Sequence, residues 1–323
     1  MNERQHYWDN VKGILIILVV VAHFMPGGDV LGAIDNGIYL FHMPLFIFVS
    51  GLFHNNEKVR ERVLSLTIIG VVYNAALILV DNVLLGKVQD FYLFRATKIP
   101  WFVFVLAMST IITYLLRDCN KAMVLIVTTA IGCIACYDAS LTENLSIDKL
   151  LCFYPFYYLG YVLDPHKLEQ TLKTRTKVRL GGGGALVVYI LITVLGRKCK
   201  ISVSKAVFLF GGTIPYPTMS VAWVGVKLIY YAAIIVVSLS LLCILPSRKV
   251  FGLTTIGERT MQIYFWHIIV RSIIYAMGLQ NYICINVVGH IIWIMISVAI
   301  AAILSLKIFS FPTSQIIKGV KKR

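Results

Sequence analysis

Charge is scarce in this sequence. Charged residues make up only 14% of the chain, against 59% hydrophobic. A soluble domain is nearer a quarter charged, so an ordinary water-facing globule is excluded. A disulfide framework is missing as well. The seven cysteines are odd in number, scattered, and mostly inside apolar runs. Cys133 and Cys136 form a CxxC pair, but no second pair or nearby histidine completes a metal site. No internal repeat is visible, which counts against an inverted-repeat transporter. The run Gly181–Gly184 lacks the following Lys-Ser/Thr of a phosphate loop and reads as a flexible or tightly packed helix start.

What is present is apolar sequence. Mean hydropathy is +0.81, which places most of the chain in a bilayer. Ten runs are long enough to cross: about 11–26, 37–53, 63–80, 99–116, 121–137, 149–163, 180–196, 221–245, 259–277 and 283–306. The expected fold is all-α and polytopic, one transmembrane domain over residues 1–323 with no soluble domain. The first run contains His23 and lacks a small-residue cleavage pattern, so it reads as a retained helix and not a signal peptide.

Orientation follows from the cations. With the N-terminus inside, the cytoplasmic loops receive Arg4; Lys58, Arg60 and Arg62; Arg117 and Lys121; Lys167, Lys173, Arg175, Lys177 and Arg179; Arg248 and Lys249; and the tail Lys318, Lys321, Lys322 and Arg323. The opposite loops hold the acidic Asp138, Glu143 and Asp148, with Lys87, Arg95, Lys98 and the loop 197–220 (Arg197, Lys198, Lys200, Lys205) as exceptions. The balance puts both termini in the cytoplasm. The net charge of +15 is therefore topology; it is split among loops and gives no continuous face for nucleic acid. The turn-rich segment Gly211–Pro217 in the outer loop is long enough for a lid or an acceptor-binding surface.

The ionisable residues inside apolar runs carry the chemistry. Lys12 and His23 are eleven residues apart, close to three helical turns. They share one face, roughly 16 Å apart along the axis. Ionisable groups in lipid-facing helix are costly, so they mark an interior path. The alternative is a snorkelling lysine and a hydrogen-bonded interior histidine. Asp9, three residues before Lys12, can pair with it. His42, on the descending second helix, falls at a depth comparable to His23, either in a site or in packing. Tyr264, His267 and Arg271 follow i, i+3, i+7 spacing and share a face. Arg271 then points into a cavity and binds an anion or carbonyl oxygen, or forms a buried pair, for example with Asp81.

Five segments together resemble the acyltransferase 3 family of integral-membrane O-acyltransferases. They are Tyr7–Gly13 running into His23; Phe41–Gly51, with its Pro-Leu-Phe…Ser-Gly pattern; Trp101–Leu106; Phe153–Tyr161; and Ile256–His267. The flavour is that of fucose 4-O-acetylases and capsule or cell-wall glycan acetylases. Where that family usually has arginine, this chain has Lys12, a point charge without a bidentate fork.

The resemblance implies a membrane-bound acyltransferase that moves an acetyl (acyl) group from cytoplasmic acetyl-CoA (acyl-CoA), its donor substrate, to a hydroxyl of an extracytoplasmic or membrane-associated glycan. It implies no permanently bound cofactor and a bacterial plasma membrane location. Acyl transfer needs a base, a stabiliser of carbonyl charge and a held donor. His23 is the candidate base or acyl carrier, with Lys12 and His42 as further catalytic candidates. Lys58, Arg60 and Arg62 are candidates for the donor phosphates, with Ser50, Trp101, Tyr264, His267 and Arg271 along its arm. No metal is implied. Partners beyond donor, glycan and bilayer are glycan-assembly proteins or a second copy of the chain. The rival classes are a secondary transporter or exporter of an anionic or sugar substrate, and an assembly subunit that tolerates loss of His23 and Arg271.

Overall fold

The first helix, α1 (His6–Phe24), is the axis on which the rest is assembled. A computed structural model describes residues 6–25, 29–86, 99–138, 140–141, 146–174, 176–198, 216 and 218–321. Among these there are helices and turns and no strands. Arg4, Lys87, Arg95, Lys98, Glu143, Arg175, Lys200, Lys205, Lys322, Arg323 and residues 211–215 lie outside the described residues.

The long helices that follow are α2 (Asp29–Leu52), α3 (Val59–Leu85), α4 (Trp101–Leu115), α5 (Lys121–Ile134) and α6 (Ile147–Val162). A short α7 (Pro165–Thr174) precedes α8 (Thr176–Lys198) and α9 (Ala222–Ile244). The last group is α10 (Leu253–Glu258), α11 (Thr260–Ala276), α12 (Leu279–Ile283), α13 (Val287–Leu304) and α14 (Thr313–Lys321). Each hydrophobic run read from sequence overlaps a helix, the last run (283–306) overlapping both α12 and α13. Among the described residues, four helical stretches, His6–Phe24, Asn56–Leu85, Ala222–Ile244 and Val287–Leu304, are long and apolar enough to cross a membrane by length and composition. Helix α2 begins at Asp29, well before the apolar run that marks it in the sequence, so Asp29 and Asp35 belong to a helix and not to a loop.

Helix α1 is packed by α2, α10, α11 and α13. Buried polar groups fix its position. Tyr7 donates to the Leu242 carbonyl at 2.7 Å. The Asn10 amide donates to the carbonyls of Pro246 and Arg248, each at 2.9 Å, and accepts from the Thr254 hydroxyl at 2.7 Å. At the other end, the Trp293 indole donates to the Phe24 carbonyl at 2.7 Å. In an apolar surround each of these bonds replaces water that is not there, so each fixes register as well as energy.

Glycines set the closest approaches. A Cβ on Gly51 would collide with the Tyr157 carbonyl oxygen, and one on Gly160 with the Phe48 carbonyl oxygen. Helices α2 and α6 therefore meet backbone to backbone, the small-residue contact used where lipid supplies no hydrophobic drive. Helix α13 lies at the rim. Val287, Val288, Ile291 and Met295 are exposed along it. In water such a surface would be an aggregation patch; in a bilayer it is the lipid face.

Candidate active site

A cavity of about 380 Å³ lies between α1, α2, α3, α4, α11 and α14. That is within the size range of small-molecule sites. From α1 it is lined by Lys12, Ile16 and Val19, and from α2 by Met43, Phe46, Ser50 and Phe53. Both sets follow helical spacing, so each helix lends one continuous face. Tyr264 with Thr260 and Met261 supplies the α11 wall, and Phe102 and Leu106 the α4 wall.

One end of the cavity is charged. Lys12, Lys58, Arg62 and Lys321 line it, with Glu61 the one carboxylate among the described lining residues. Lys12 pairs with Asp9 at 2.8 Å. Arg62 donates to the carbonyls of Phe53 and Ser50, both at 3.1 Å, and so closes the C-terminal end of α2. Behind it, His54 hydrogen-bonds the Tyr157 hydroxyl at 3.0 Å and the Asn56 side chain at 2.9 Å. Burial pushes the His54 pKa below its ordinary value, against the Asn56 hydrogen bond that raises it.

Beyond the other end is a cluster of rings. His23 follows Val19 by one turn of α1, and Tyr39 precedes Met43 by one turn of α2. His23 Nδ1 and the Tyr39 hydroxyl are 3.2 Å apart. The rings of His23 and His267 have centroids 5.3 Å apart, and those of Tyr39 and His42 5.1 Å. Tyr264 is the divider. Its ring lines the cavity and lies 5.9 Å from that of His267. The buried Tyr264 hydroxyl donates to the Ile99 carbonyl.

The hydrogen bonds fix tautomers. His267 Nδ1–H donates to the carbonyls of Ile263 at 3.1 Å and Tyr264 at 2.8 Å, which leaves Nε2 as the acceptor. Among the described residues that buried Nε2 has no hydrogen-bond partner, nor has Arg271 Nε. His42 Nδ1–H donates to the Ile38 carbonyl at 2.7 Å. Arg271 lies over the Tyr275 ring at 4.2 Å.

The sequence candidates thus fall into two groups. Lys12, Ser50, Lys58, Arg62 and Tyr264 line the cavity; His23 and His267 meet beyond it, His42 joins them through the Tyr39 ring, and Arg271 is one turn further along α11. Arg60 and Trp101 are not among the lining residues. Trp101 instead stacks on Phe153 with centroids 5.5 Å apart. Sequence reasoning missed Tyr39, whose i, i+4, i+7, i+11 relation to Met43, Phe46 and Ser50 was its only signal. It also missed Ile317 as a lining residue and read Lys321 only as tail charge.

The acyltransferase domain model of the acyltransferase 3 family matches residues 5–309. Nodulation protein NolL of Mesorhizobium japonicum is 29% identical over 183 residues, 50% of this chain and 48% of that protein. Nodulation protein NolL of Sinorhizobium fredii is 29% identical over 197 residues, 52% of this chain and 51% of that protein. The chain thus spans about half the length of the curated relatives it matches. No solved structure gives a significant match. By the match across nearly its whole length, the chain belongs to the acyltransferase 3 family of membrane acyltransferases.

Proposed function

We propose that this protein is a bacterial plasma-membrane O-acetyltransferase that crosses the bilayer about ten times with both termini in the cytoplasm. It takes the acetyl (acyl) group of a cytoplasmic acyl-CoA and passes it to a hydroxyl of an extracytoplasmic or membrane-associated glycan. The observation that carries the reading is the continuity of three helix faces. Those of α1, α2 and α11 each run along the cavity and end in a ring, His23, Tyr39 or His267, beyond its apolar end.

The chemistry follows from that layout. Lys12 and Lys58 supply positive potential for the anionic end of the donor. Lys12 lies roughly 16 Å from His23 along α1, so it serves the donor and not the reacting atoms. The acyl arm passes Ser50 and Tyr264 towards the rings. His23, hydrogen-bonded to Tyr39 through Nδ1, is the base that takes the acceptor hydroxyl proton as the hydroxyl oxygen attacks the thioester carbonyl. The C–S bond breaks, and the departing thiolate receives that proton. Alternatively a His23 ring nitrogen attacks the thioester carbonyl first, the C–S bond breaks as the thiolate leaves, and the acyl-imidazole then passes its acyl group to the acceptor oxygen, whose proton goes to the thiolate. Arg271 and His267 Nε2, which has no hydrogen-bond partner among the described residues, are the groups this reading assigns to the developing charge and the proton.

The test is sidedness of transfer. Purified protein in sealed liposomes is given labelled acetyl-CoA on one face and a panel of glycans on the other. Ester label on a glycan only when donor and acceptor are on opposite sides supports the reading. Transfer only with both on one side contradicts the transmembrane layout.

A further inference from the structure

The helix α14 lies beyond the residues matched by the family model, yet it closes part of the cavity wall. Its position is built in. Arg259, Gln262 and Trp266 follow i, i+3, i+7 spacing on one side of α11. Arg259 donates to the Ser305 carbonyl at 2.5 Å, and Gln262 to the carbonyls of Leu304 and Leu306 at 2.7 and 2.9 Å. Trp266 donates to those of Phe309 at 3.1 Å and Phe311 at 2.8 Å. Three side chains therefore satisfy the carbonyls at and after the end of α13, the orphan acceptors of a helix C-terminus. They lead the chain back across α11 onto α3.

Helix α14 is amphipathic. Ile316 and Ile317 pack inward against the core, and Ile317 and Lys321, one turn apart, line the cavity. Lys321 stands at the same charged end as Lys58 and Arg62. Of these, Arg62 already commits N–H donors to two carbonyls, while Lys58 and Lys321 offer a ligand their ammonium donors.

Resting on the donor reading above, we infer that α14 is part of the donor site: Lys321 binds a phosphate of the nucleotide end of the acyl-CoA, and Ile317 packs on its pantetheine arm. The helix thus adds a nucleotide-reading element to the domain that performs transfer.

Equilibrium binding to the full chain in detergent tests this, with acetyl-CoA and with S-acetylpantetheine, a thioester that lacks the nucleotide. Wild type binds both. Lys321→Glu weakens acetyl-CoA binding about tenfold or more, as expected for loss of a charge-assisted bond, and leaves S-acetylpantetheine unchanged. Lys321→Arg restores acetyl-CoA binding, and Ile317→Ala weakens both probes. Unchanged acetyl-CoA affinity in Lys321→Glu overturns the inference, and so does an equal loss for both probes in that variant. A wild type that binds neither probe overturns the donor reading itself, and the inference with it.

Discussion

The imidazole rings of His23 and His267 face each other with centroids 5.3 Å apart, although one belongs to the first helix and the other to α11. His267 is held by two backbone carbonyls and has no partner for Nε2 among the described residues, while His23 is hydrogen-bonded to Tyr39. The two rings form a unit, so their losses are expected to be non-additive. His267→Ala is expected to lower kcat substantially, and a double variant with His23→Ala to be no slower than the worse single one. Additive losses in single-turnover rates would mean that the rings act separately.

Tyr39 is a positioning residue in this arrangement. Tyr39→Phe removes one hydrogen bond to His23, a contribution of about 1 kcal/mol, or about fivefold in rate. The expected signature is lower kcat and a shifted pH profile with KM for acetyl-CoA unchanged. A change confined to KM would place Tyr39 with the donor instead.

Asn10 bears on stability alone. Its amide joins α1 to the segment after α9 and to α10 through three bonds. Asn10→Ala leaves two carbonyls and a hydroxyl to find new partners in a buried place, at a cost of about 2–3 kcal/mol. Denaturant melts in detergent should show that loss, and an unchanged midpoint would refute the assignment.

The glycines make a paired prediction. Gly51→Ala sets a methyl group against the Tyr157 backbone carbonyl, which cannot move without separating α2 from α6. A large fall in melting temperature is expected. A Cβ on Gly184, inside α8, meets nothing within 4 Å. Gly184→Ala should stabilise the helix by about 0.5–1 kcal/mol. Equal melting temperatures for the two variants would count against the close packing of α2 and α6.

Protonation of His54 should loosen the turn between α2 and α3. Its folded pKa lies below the ordinary value of 6.5 because burial disfavours the cation. The unfolded chain then binds the proton more readily than the folded one. The contribution is fully present above pH 6.5 and declines as pH falls below it, towards the folded value. His54→Gln should flatten the pH dependence of melting between pH 7.5 and 5.5; the same slope in both proteins would exclude His54 as its source.

Much of this molecule is legible in its residues because bilayer helices must be long and apolar. Lys12 and His23 share a face by arithmetic alone. Trp101 shows where such reasoning stops, since which neighbour an aromatic ring meets is decided by α6 packing against α4. Arg60 lies two residues from both Lys58 and Arg62, roughly the opposite side of a helix, which separates it from its neighbours in the same charge run. Tyr39 and Ile317 were hidden for a different reason. Each is an unremarkable residue in its own segment and gains a role only from the helices packed across from it. Helix α14 falls outside every apolar run, so hydropathy gave no sign that it packs on the core.

The most direct measurement is transfer of labelled acetyl from acetyl-CoA to glycan by the reconstituted protein, wild type against His23→Ala. Loss of about 10²-fold or more in the variant, with acetyl-CoA binding retained, is the expected result. Undiminished transfer by a folded His23→Ala protein would contradict the central claim and move the chemistry away from the paired rings.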